Sequence, residues 1–298
     1  TCGTGGTAKT FNISTAAAIV AASAAREEIA VAKHGNRSRS GRGSAEVLRH
    51  LGVNVDASPE AQGACLRQAG VCFCFAIHHH PAMKHASGPR ASLGVPTIFN
   101  LLGPLTNPAG ASHQLLGVYR PDLVRPVAES LARLGSVRAL VVHSADGLDE
   151  ISPCGPTHAA LVDDHGGISE LTLTPEDAGL SRCSIDEIRA ATLEEAGAMF
   201  REVLSGKPGG PRAAVALNAG AALYVAGVCT SMREGVERAE SAILSRDSSR
   251  TLDRLIACSK TAATGPSGTR RVSGPTGVDS VTSRMVTICS CSPQVRST

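Results

Sequence analysis

Short apolar runs alternate with helix-like segments along most of the 298-residue chain, and this alternation restricts the possible folds more than any other feature. The runs at residues 29–32 and 71–77 are continuously apolar, as is 138–142 after its initial Arg138, which is typical of strands buried on both faces of a parallel sheet. The segments at 59–69 and 121–134 have helical spacing of apolar residues. Strands separated by helices predict an α/β fold, a mainly parallel sheet flanked by helices.

Net charge and cysteine content indicate which kinds of partner and which cellular compartment to expect. The net charge of +3 is too small to favour nucleic acid or a membrane surface as a partner. The ten cysteines include no Cys-x-x-Cys pair, and Cys72 and Cys74 lie in an apolar run where thiols pack as small apolar groups. We therefore expect a reduced, cytoplasmic setting.

A basic loop rich in glycine and serine follows the first apolar run, from Lys33 to Ser44. Glycines allow close backbone approach, hydroxyls donate hydrogen bonds, and cations supply charge, so the loop is suited to hold an anion. The residues concerned are Lys33, Gly35, Arg37, Ser38, Ser40, Gly41, Gly43 and Ser44. Ser44 is predicted to be the N-cap of the next helix. A solvated basic loop is the alternative interpretation.

Two further motifs fit a phosphorylated substrate. Gly3-Thr4-Gly5-Gly6 precedes an alanine-rich helix and forms a second candidate anion loop, although a tight turn is the alternative. Asp149 and Glu150 follow a strand and a glycine turn, and adjacent carboxylates suit Mg²⁺. A solvated pair of acids is commoner. Together the motifs predict a magnesium-dependent enzyme acting on a phosphorylated sugar or nucleotide.

Seven motifs across about residues 2–257 resemble the anthranilate phosphoribosyltransferase family, in the family's order. They are Gly3-Thr-Gly-Gly, Asn12-Ile-Ser-Thr15, Lys33-His-Gly-Asn-Arg37, His80-Pro-Ala-Met-Lys84, Ile98-Phe-Asn-Leu-Leu-Gly-Pro-Leu-Thr-Asn-Pro108, Asp146-Gly-Leu-Asp-Glu150 and Leu217-Asn-Ala-Gly-Ala-Ala222. The resemblance implies transfer of phosphoribose from phosphoribosyl pyrophosphate (PRPP) to anthranilate, with release of pyrophosphate, in tryptophan biosynthesis. It also implies a homodimer, two Mg²⁺ ions, and a smaller helical domain beside the α/β domain.

The resemblance assigns site residues by position. Those implied to bind PRPP are Gly3, Gly6, Thr10, Asn12, Ser14, Thr15, Lys33, His34, Gly35, Asn36, Arg37, Ser38, Ser40, Gly41 and Ser44. Those implied to line the anthranilate path are Gly3, Asn36, His80, Arg90, Gly103 and Pro104. Ser14, Asp149 and Glu150 are implied to serve the metals. No acid or base is assigned, because an aryl amine needs positioning more than deprotonation.

The sequence departs from the family pattern in both anion loops. Thr7-Ala8 stands where family members have an aspartate, and each loop is one residue short. One residue spans up to ~3.5 Å, so weakened positioning of the phosphates is expected. Two alternatives therefore stay open: a pyrimidine nucleoside phosphorylase-like enzyme, and a catalytically inactive family member that at most binds ligands.

The predicted domain boundaries follow from the same patterns. We expect residues 1–257 to form the transferase domain, with about 79–110 contributing to the helical subdomain and hinge, and the resemblance implies that the family's usual N-terminal helices are missing from this sequence. Residues 258–298 are rich in Ser, Thr, Gly, Pro and Arg, which predicts a disordered or aberrantly translated tail. Residues 213–217 are predicted to form a strand, and Gly103-Pro104 and Asn107-Pro108 are predicted to break the helix that begins near Ile98.

Overall fold

A computed structural model describes residues 10–36, 38, 41–79, 85, 92, 97–261 and 284–290. In this part of the chain the strands are β1 (Ile29–Gly35), β2 (Val71–Phe75), β3 (His113–Gly117), β4 (Arg138–Ser144), β5 (Thr157–Val162), β6 (Ile168–Leu173) and β7 (Arg284–Ser290). They form a seven-stranded sheet in the order β2-β1-β7-β3-β4-β5-β6. The first five strands in that order are parallel, and β5 is antiparallel to both of its neighbours, β4 and β6. The predicted α/β class is confirmed.

Helices cover both faces of this sheet. They are α1 (Ile13–Ala24), α2 (Ser44–His50), α3 (Pro59–Ala69), α4 (Ala76–His79), α5 (Phe99–Leu105), α6 (Val124–Arg133), α7 (Leu193–Leu204), α8 (Gly210–Val225), α9 (Met232–Leu244) and α10 (Asp247–Ser259). Short 3-10 turns cover Pro121–Leu123, Glu176–Ala178 and Ile185–Ile188.

The alanine-rich helix α1 lies at the centre of the larger core. Its residues from Ile13 to Ala22 are all buried, and it packs against β1, α8, α9 and α10. Alanine side chains let these elements approach closely, so a helix with little amphipathic character is stable here because it is covered on all sides.

A second, smaller core lies on the other face, under α6. Val127 and Leu131 of this helix pack against Leu116 of β3 and Val141 of β4. Since both faces of the sheet are covered, the strands read as continuous apolar runs rather than alternating ones.

Strand β7 corrects the prediction of a structureless tail. Arg284–Ser290 lies between β1 and β3, with Val31 beside Val286 and Leu115 beside Ile288. Val286 and Ile288 are fully buried. The surrounding polar composition concealed a run of strand-forming residues, Met285 to Cys289, that is long enough for a buried strand. The prediction is therefore wrong for these residues, and α10 extends to Ser259.

Two local predictions are also wrong. Residues 213–217 belong to the continuous helix α8, because their alanines favour a helix and Pro211 occupies its first turn. Helix α5 continues through Gly103 and Pro104 to Leu105. Pro104 lacks the N–H that would donate to the carbonyl four residues earlier, and the helix ends one residue later, before Asn107-Pro108.

Among the described residues, no helix is both long and apolar enough to span a bilayer.

Candidate functional site

The first part of the site is the carboxyl end of β1. Lys33 and His34 are buried there, between the neighbouring strands β2 and β7. Gly35 ends the strand, and a Cβ at this position would lie 2.8 Å from the Phe73 ring and 3.0 Å from Ser44. A glycine is therefore required for the chain to pass between β2 and the start of α2.

The loop that follows β1 turns back on itself through its own polar groups. The hydroxyl of Ser38 accepts from the Arg42 amide at 3.0 Å, and Gly41 has a φ of +69°. The carbonyl of Asn36 accepts from the Ala45 amide at 3.4 Å. The N-cap of α2 is Gly43, with Ser44 as the first helical residue, so the predicted N-cap is wrong by one residue; a Cβ at Gly43 would clash with the Ser38 amide at 2.6 Å.

This loop is docked on the start of α1. The Asn12 side-chain amide donates to the Arg42 carbonyl at 3.0 Å, and the Arg42 guanidinium donates to the Ala190 carbonyl. Thr10 forms an isolated bridge with Arg189. Ser14 and Thr15 are buried in the first turn of α1. The β1 loop therefore contacts the start of α1, while Gly3-Thr4-Gly5-Gly6 lies outside the described residues.

The third part is the loop after β4, which carries the two carboxylates. Asp149 is 2 % exposed and Glu150 is 3 % exposed. Asn218 of α8 accepts from the Ile151 amide at 3.0 Å and donates to the Ile151 carbonyl at 2.8 Å. The Ser144 hydroxyl donates to the Glu150 carbonyl. These hydrogen bonds fix the backbone of the acidic loop directly after the carboxylates.

A close backbone contact sets the position of this loop against the sheet. Gly117 ends β3, and a Cβ built on it would lie 1.5 Å from the carbonyl oxygen of Asp149. In the sheet Gly117 is beside Ser290 of β7, and Lys33 is beside Ile288 of the same strand. The acidic loop and the end of β1 therefore lie at one edge of the sheet, separated by β7.

The charges at this edge are buried and incompletely paired. Burial raises the pKa of the Glu150 carboxyl well above its ordinary range, Asp149 adds to the rise, and the Lys33 ammonium opposes it. Glu150 Oε1, Lys33 Nζ and Asn12 Oδ1 are buried without a hydrogen-bond partner in the described structure. Isolated buried charges cost several kcal/mol each, about the amount a bound ion or ligand can offset.

These residues fit a magnesium ion better than a transition metal. Within the described ranges, no group of three or more His, Cys, Asp or Glu side chains could hold a metal. Two carboxylates alone match Mg²⁺, which keeps waters and takes further oxygens from substrate phosphates.

The remaining predicted residues lie elsewhere or outside the described part of the chain. Gly103 and Pro104 belong to α5, where Pro104 is buried and Gly103 is half-buried. The predicted residues outside the described ranges are Gly3, Gly6, Arg37, Ser40, His80 and Arg90.

Two residues that hold the acidic loop, Asn218 and Gly117, were not predicted from the sequence. Asn218 is the single amide in the apolar stretch Ala213–Ala222, and a buried amide in such a stretch indicates a specific hydrogen bond. Gly117 closes a buried strand, and glycine there indicates close approach of another backbone. Both signals were visible in the sequence, but the partner of each residue was not.

The fold and the paired loops define a class of protein. Residues 1–247 match the family model described as "Glycosyl transferase family, a/b domain". This match covers most of the described structure and includes the β1 loop, the start of α1 and the acidic loop.

Similar proteins indicate one particular family within this class. The anthranilate phosphoribosyltransferase of Halorhodospira halophila is 51% identical over 262 residues, which is 87% of this chain and 75% of that protein. The crystal structure of the Thermus thermophilus enzyme has a TM-score of 0.78 at 44% identity, covering 85% of this chain and 74% of that one. The Saccharomyces cerevisiae enzyme in complex with PRPP and Mg has a TM-score of 0.74 at 29% identity, covering 86% and 71%.

The chain belongs to the anthranilate phosphoribosyltransferase family, as its motifs indicated. The family's reaction is a phosphoribosyl transfer in tryptophan biosynthesis, which confirms the main interpretation over the phosphorylase-like one.

Proposed function

We propose that this chain binds PRPP at the edge of the sheet where the β1 loop, the start of α1 and the acidic loop meet, and transfers its phosphoribose to anthranilate. The observation that carries the proposal is that Lys33 Nζ and Glu150 Oε1 are both buried without a hydrogen-bond partner in the described structure, and that the Lys33 ammonium interacts electrostatically with the Glu150 carboxyl. A diphosphate accompanied by a divalent cation complements both charges at once.

The proposed PRPP contacts come from residues that the fold gathers at this edge. Hydroxyls and backbone amides of the two loops would donate to phosphate oxygens, and Lys33 would stabilise the charge that develops on the departing pyrophosphate. The described residues proposed for this role are Thr10, Asn12, Ser14, Thr15, Lys33, His34, Gly35, Asn36, Ser38, Gly41 and Ser44. Gly3, Gly6, Arg37 and Ser40 complete the proposed set.

We propose two Mg²⁺ ions, held by Ser14, Asp149 and Glu150 together with the substrate. When bound, Mg²⁺ supplies charge neutralisation for the pyrophosphate leaving group. Asn218 and Ser144 keep the carboxylates in place before any ligand binds, so the loop needs little reorganisation.

The proposed anthranilate path includes Gly3, Asn36, His80, Arg90, Gly103 and Pro104. An arginine such as Arg90 can pair with the substrate carboxylate in a bidentate manner. The family resemblance also supports assigning residues 1–257 to the transferase, with 79–110 at the helical subdomain and hinge. A homodimer is the proposed assembly, and light scattering during size-exclusion chromatography would test it.

Loss of anthranilate fluorescence on addition of PRPP and Mg²⁺ tests the proposed activity. We expect turnover that stops when Mg²⁺ is chelated, and that falls roughly 10²-fold in Glu150→Gln, because the variant removes a charge from the metal site. Glu202→Gln, which alters an exposed ion pair with Lys207, is the matched control. Absence of turnover in the wild-type protein would support the inactive alternative, and turnover unaffected by chelation would contradict the magnesium site.

A further inference from the structure

Two cysteines from different loops lie side by side next to the acidic loop. Cys154 follows Glu150 by four residues, and Cys183 precedes the 3-10 turn Ile185–Ile188. Their sulfur atoms are 3.7 Å apart, and both side chains are half-exposed. The backbones are also adjacent, because the Cys183 amide donates to the Pro153 carbonyl at 3.1 Å.

This geometry differs from that of Cys72 and Cys74, another close cysteine pair in the described residues. Cys72 and Cys74 also have sulfurs 3.7 Å apart, but both are buried in β2. Residues two apart on one strand have Cα atoms about 6.6 Å from each other, near the upper limit for a disulfide. Cys154 and Cys183 are on separate segments with solvent access, so a small movement can bring their sulfurs to bonding distance.

A bond between these sulfurs would connect two sides of the proposed site. On one side, Cys154 belongs to the segment that continues from Asp149 and Glu150. On the other, the turn after Cys183 ends at Ile188, whose carbonyl accepts from the Phe11 amide at 3.0 Å, next to the start of α1.

We propose that Cys154 and Cys183 form a reversible disulfide when the protein meets a small disulfide oxidant such as oxidised glutathione, linking the acidic loop to the segment that supports the start of α1. The inference concerns oxidation of the protein itself and does not depend on the phosphoribosyl transfer proposed above.

The Cys154–Cys183 disulfide forms through two successive thiol–disulfide exchanges. The Cys154 sulfur attacks glutathione disulfide, breaking its S–S bond and releasing one reduced glutathione. The Cys183 sulfur then attacks the Cys154 sulfur and releases the second glutathione. The two cysteines together lose two protons and two electrons, and the oxidant receives both.

The environment of Cys154 and Cys183 determines the rate at which the disulfide forms. Burial raises the pKa of the Cys154 thiol, and burial together with Cys154 raises the pKa of Cys183 to about 12. Both groups are thiols at neutral pH, so the first exchange is slow. The second is fast by comparison because the attacking sulfur is already adjacent.

Mass spectrometry of the intact full-length chain after incubation with oxidised glutathione tests the proposal. We expect a species lighter than the reduced protein by the mass of two hydrogen atoms, a non-reducing peptide map that joins Cys154 to Cys183, and reversal by dithiothreitol. Cys154→Ser and Cys183→Ser should each lack this linkage and retain a glutathione adduct on the remaining cysteine. Cys72→Ser, the matched control, should form the linkage as the wild type does.

The wild-type peptide map alone decides the outcome, even if a variant folds poorly. A wild-type protein that stays reduced, that carries glutathione on both cysteines without a bond between them, or that joins other cysteines would overturn the proposal. None of these results bears on anthranilate turnover, which is measured separately under reducing conditions.

Discussion

Lys33 and Glu150 are buried with charged atoms that no other group in the described structure satisfies. Replacing such groups by apolar ones would stabilise a protein that only had to fold. Their presence at the carboxyl edge of a parallel sheet, where ligands of α/β proteins bind, fits a site completed by substrate. The raised pKa of Glu150 has the same cause, a carboxylate withdrawn from water beside Asp149.

Gly117→Ala should displace the acidic loop, because the new Cβ would lie 1.5 Å from the Asp149 carbonyl oxygen. Neither backbone can move without disturbing the sheet, so we expect a loss of at least about 1–3 kcal/mol in the free energy of unfolding. Displacement of the carboxylates by about 1 Å should also lower turnover roughly 10²-fold. Denaturant titration and the anthranilate assay measure the two effects.

Gly155→Ala is the matched control, since nothing lies within 4 Å of a Cβ at that position. It should leave both stability and turnover close to wild type. If Gly117→Ala behaved like Gly155→Ala, the close packing of the acidic loop against β3 would be wrong.

Strand β7 holds the two halves of the sheet together. It pairs in parallel with β1 on one side and β3 on the other, and its Thr287 hydroxyl donates to the side-chain oxygen of Asn107 in the loop after α5. The strand therefore sets the spacing between Lys33 and the acidic loop.

Ile288→Ala tests that role, because Ile288 is 1 % exposed in the larger core. The cavity should lower the free energy of unfolding by about 2–5 kcal/mol, against about 0.5–1.5 kcal/mol for Ile288→Val. Thermal and denaturant unfolding measure the difference. A change near zero for both variants would mean that β7 does not contribute to the folded core.

A histidine at the centre of the sheet, His113, should make the stability of the fold depend on pH. Burial lowers the pKa of His113 on β3 below 6.5, Arg284 and Arg138 on the flanking strands lower it further, and Asp164 opposes them. The unfolded chain therefore takes up a proton at a higher pH than the folded chain does. Stability should fall as the pH drops through the unfolded value of 6.5.

His113→Gln should make the fall in melting temperature between about pH 7.5 and about pH 5.5 smaller than in wild type. His165→Gln, on an exposed turn, is the control and should leave the pH profile unchanged. Equal slopes for wild type and His113→Gln would show that His113 does not take part in this dependence.

The sequence predicted elements best where their pattern was long or clearly bounded. Pro59–Ala69 was predicted to the residue, because a proline marks its first turn and Gly70 follows its last residue. The helix over 213–217 was mistaken for a strand, since a short apolar run alone does not distinguish the two. Strand β7 was missed because its partners are distant in sequence.

At the scale of the whole molecule, the site depends on contacts that cross the chain. The acidic loop is held by Asn218, 67 residues further along, and the β1 loop is held by Ala190. Sequence motifs predicted Lys33, Asp149 and Glu150 as site residues, and the structure buries all three. The motifs did not predict the residues that position these side chains. Such positioning residues are determined by packing between segments that are distant in sequence, which no local motif shows.

The central claim is that PRPP binds with Mg²⁺ against Lys33 at this edge of the sheet. Isothermal titration calorimetry with PRPP in the presence of Mg²⁺ tests it directly, comparing wild type with Lys33→Met and with Lys207→Met, which alters an exposed lysine. Loss of a charge-assisted hydrogen bond worth about 1.5–3 kcal/mol should weaken binding to Lys33→Met roughly tenfold or more, while Lys207→Met binds like wild type. Equal affinities for all three proteins would contradict the account.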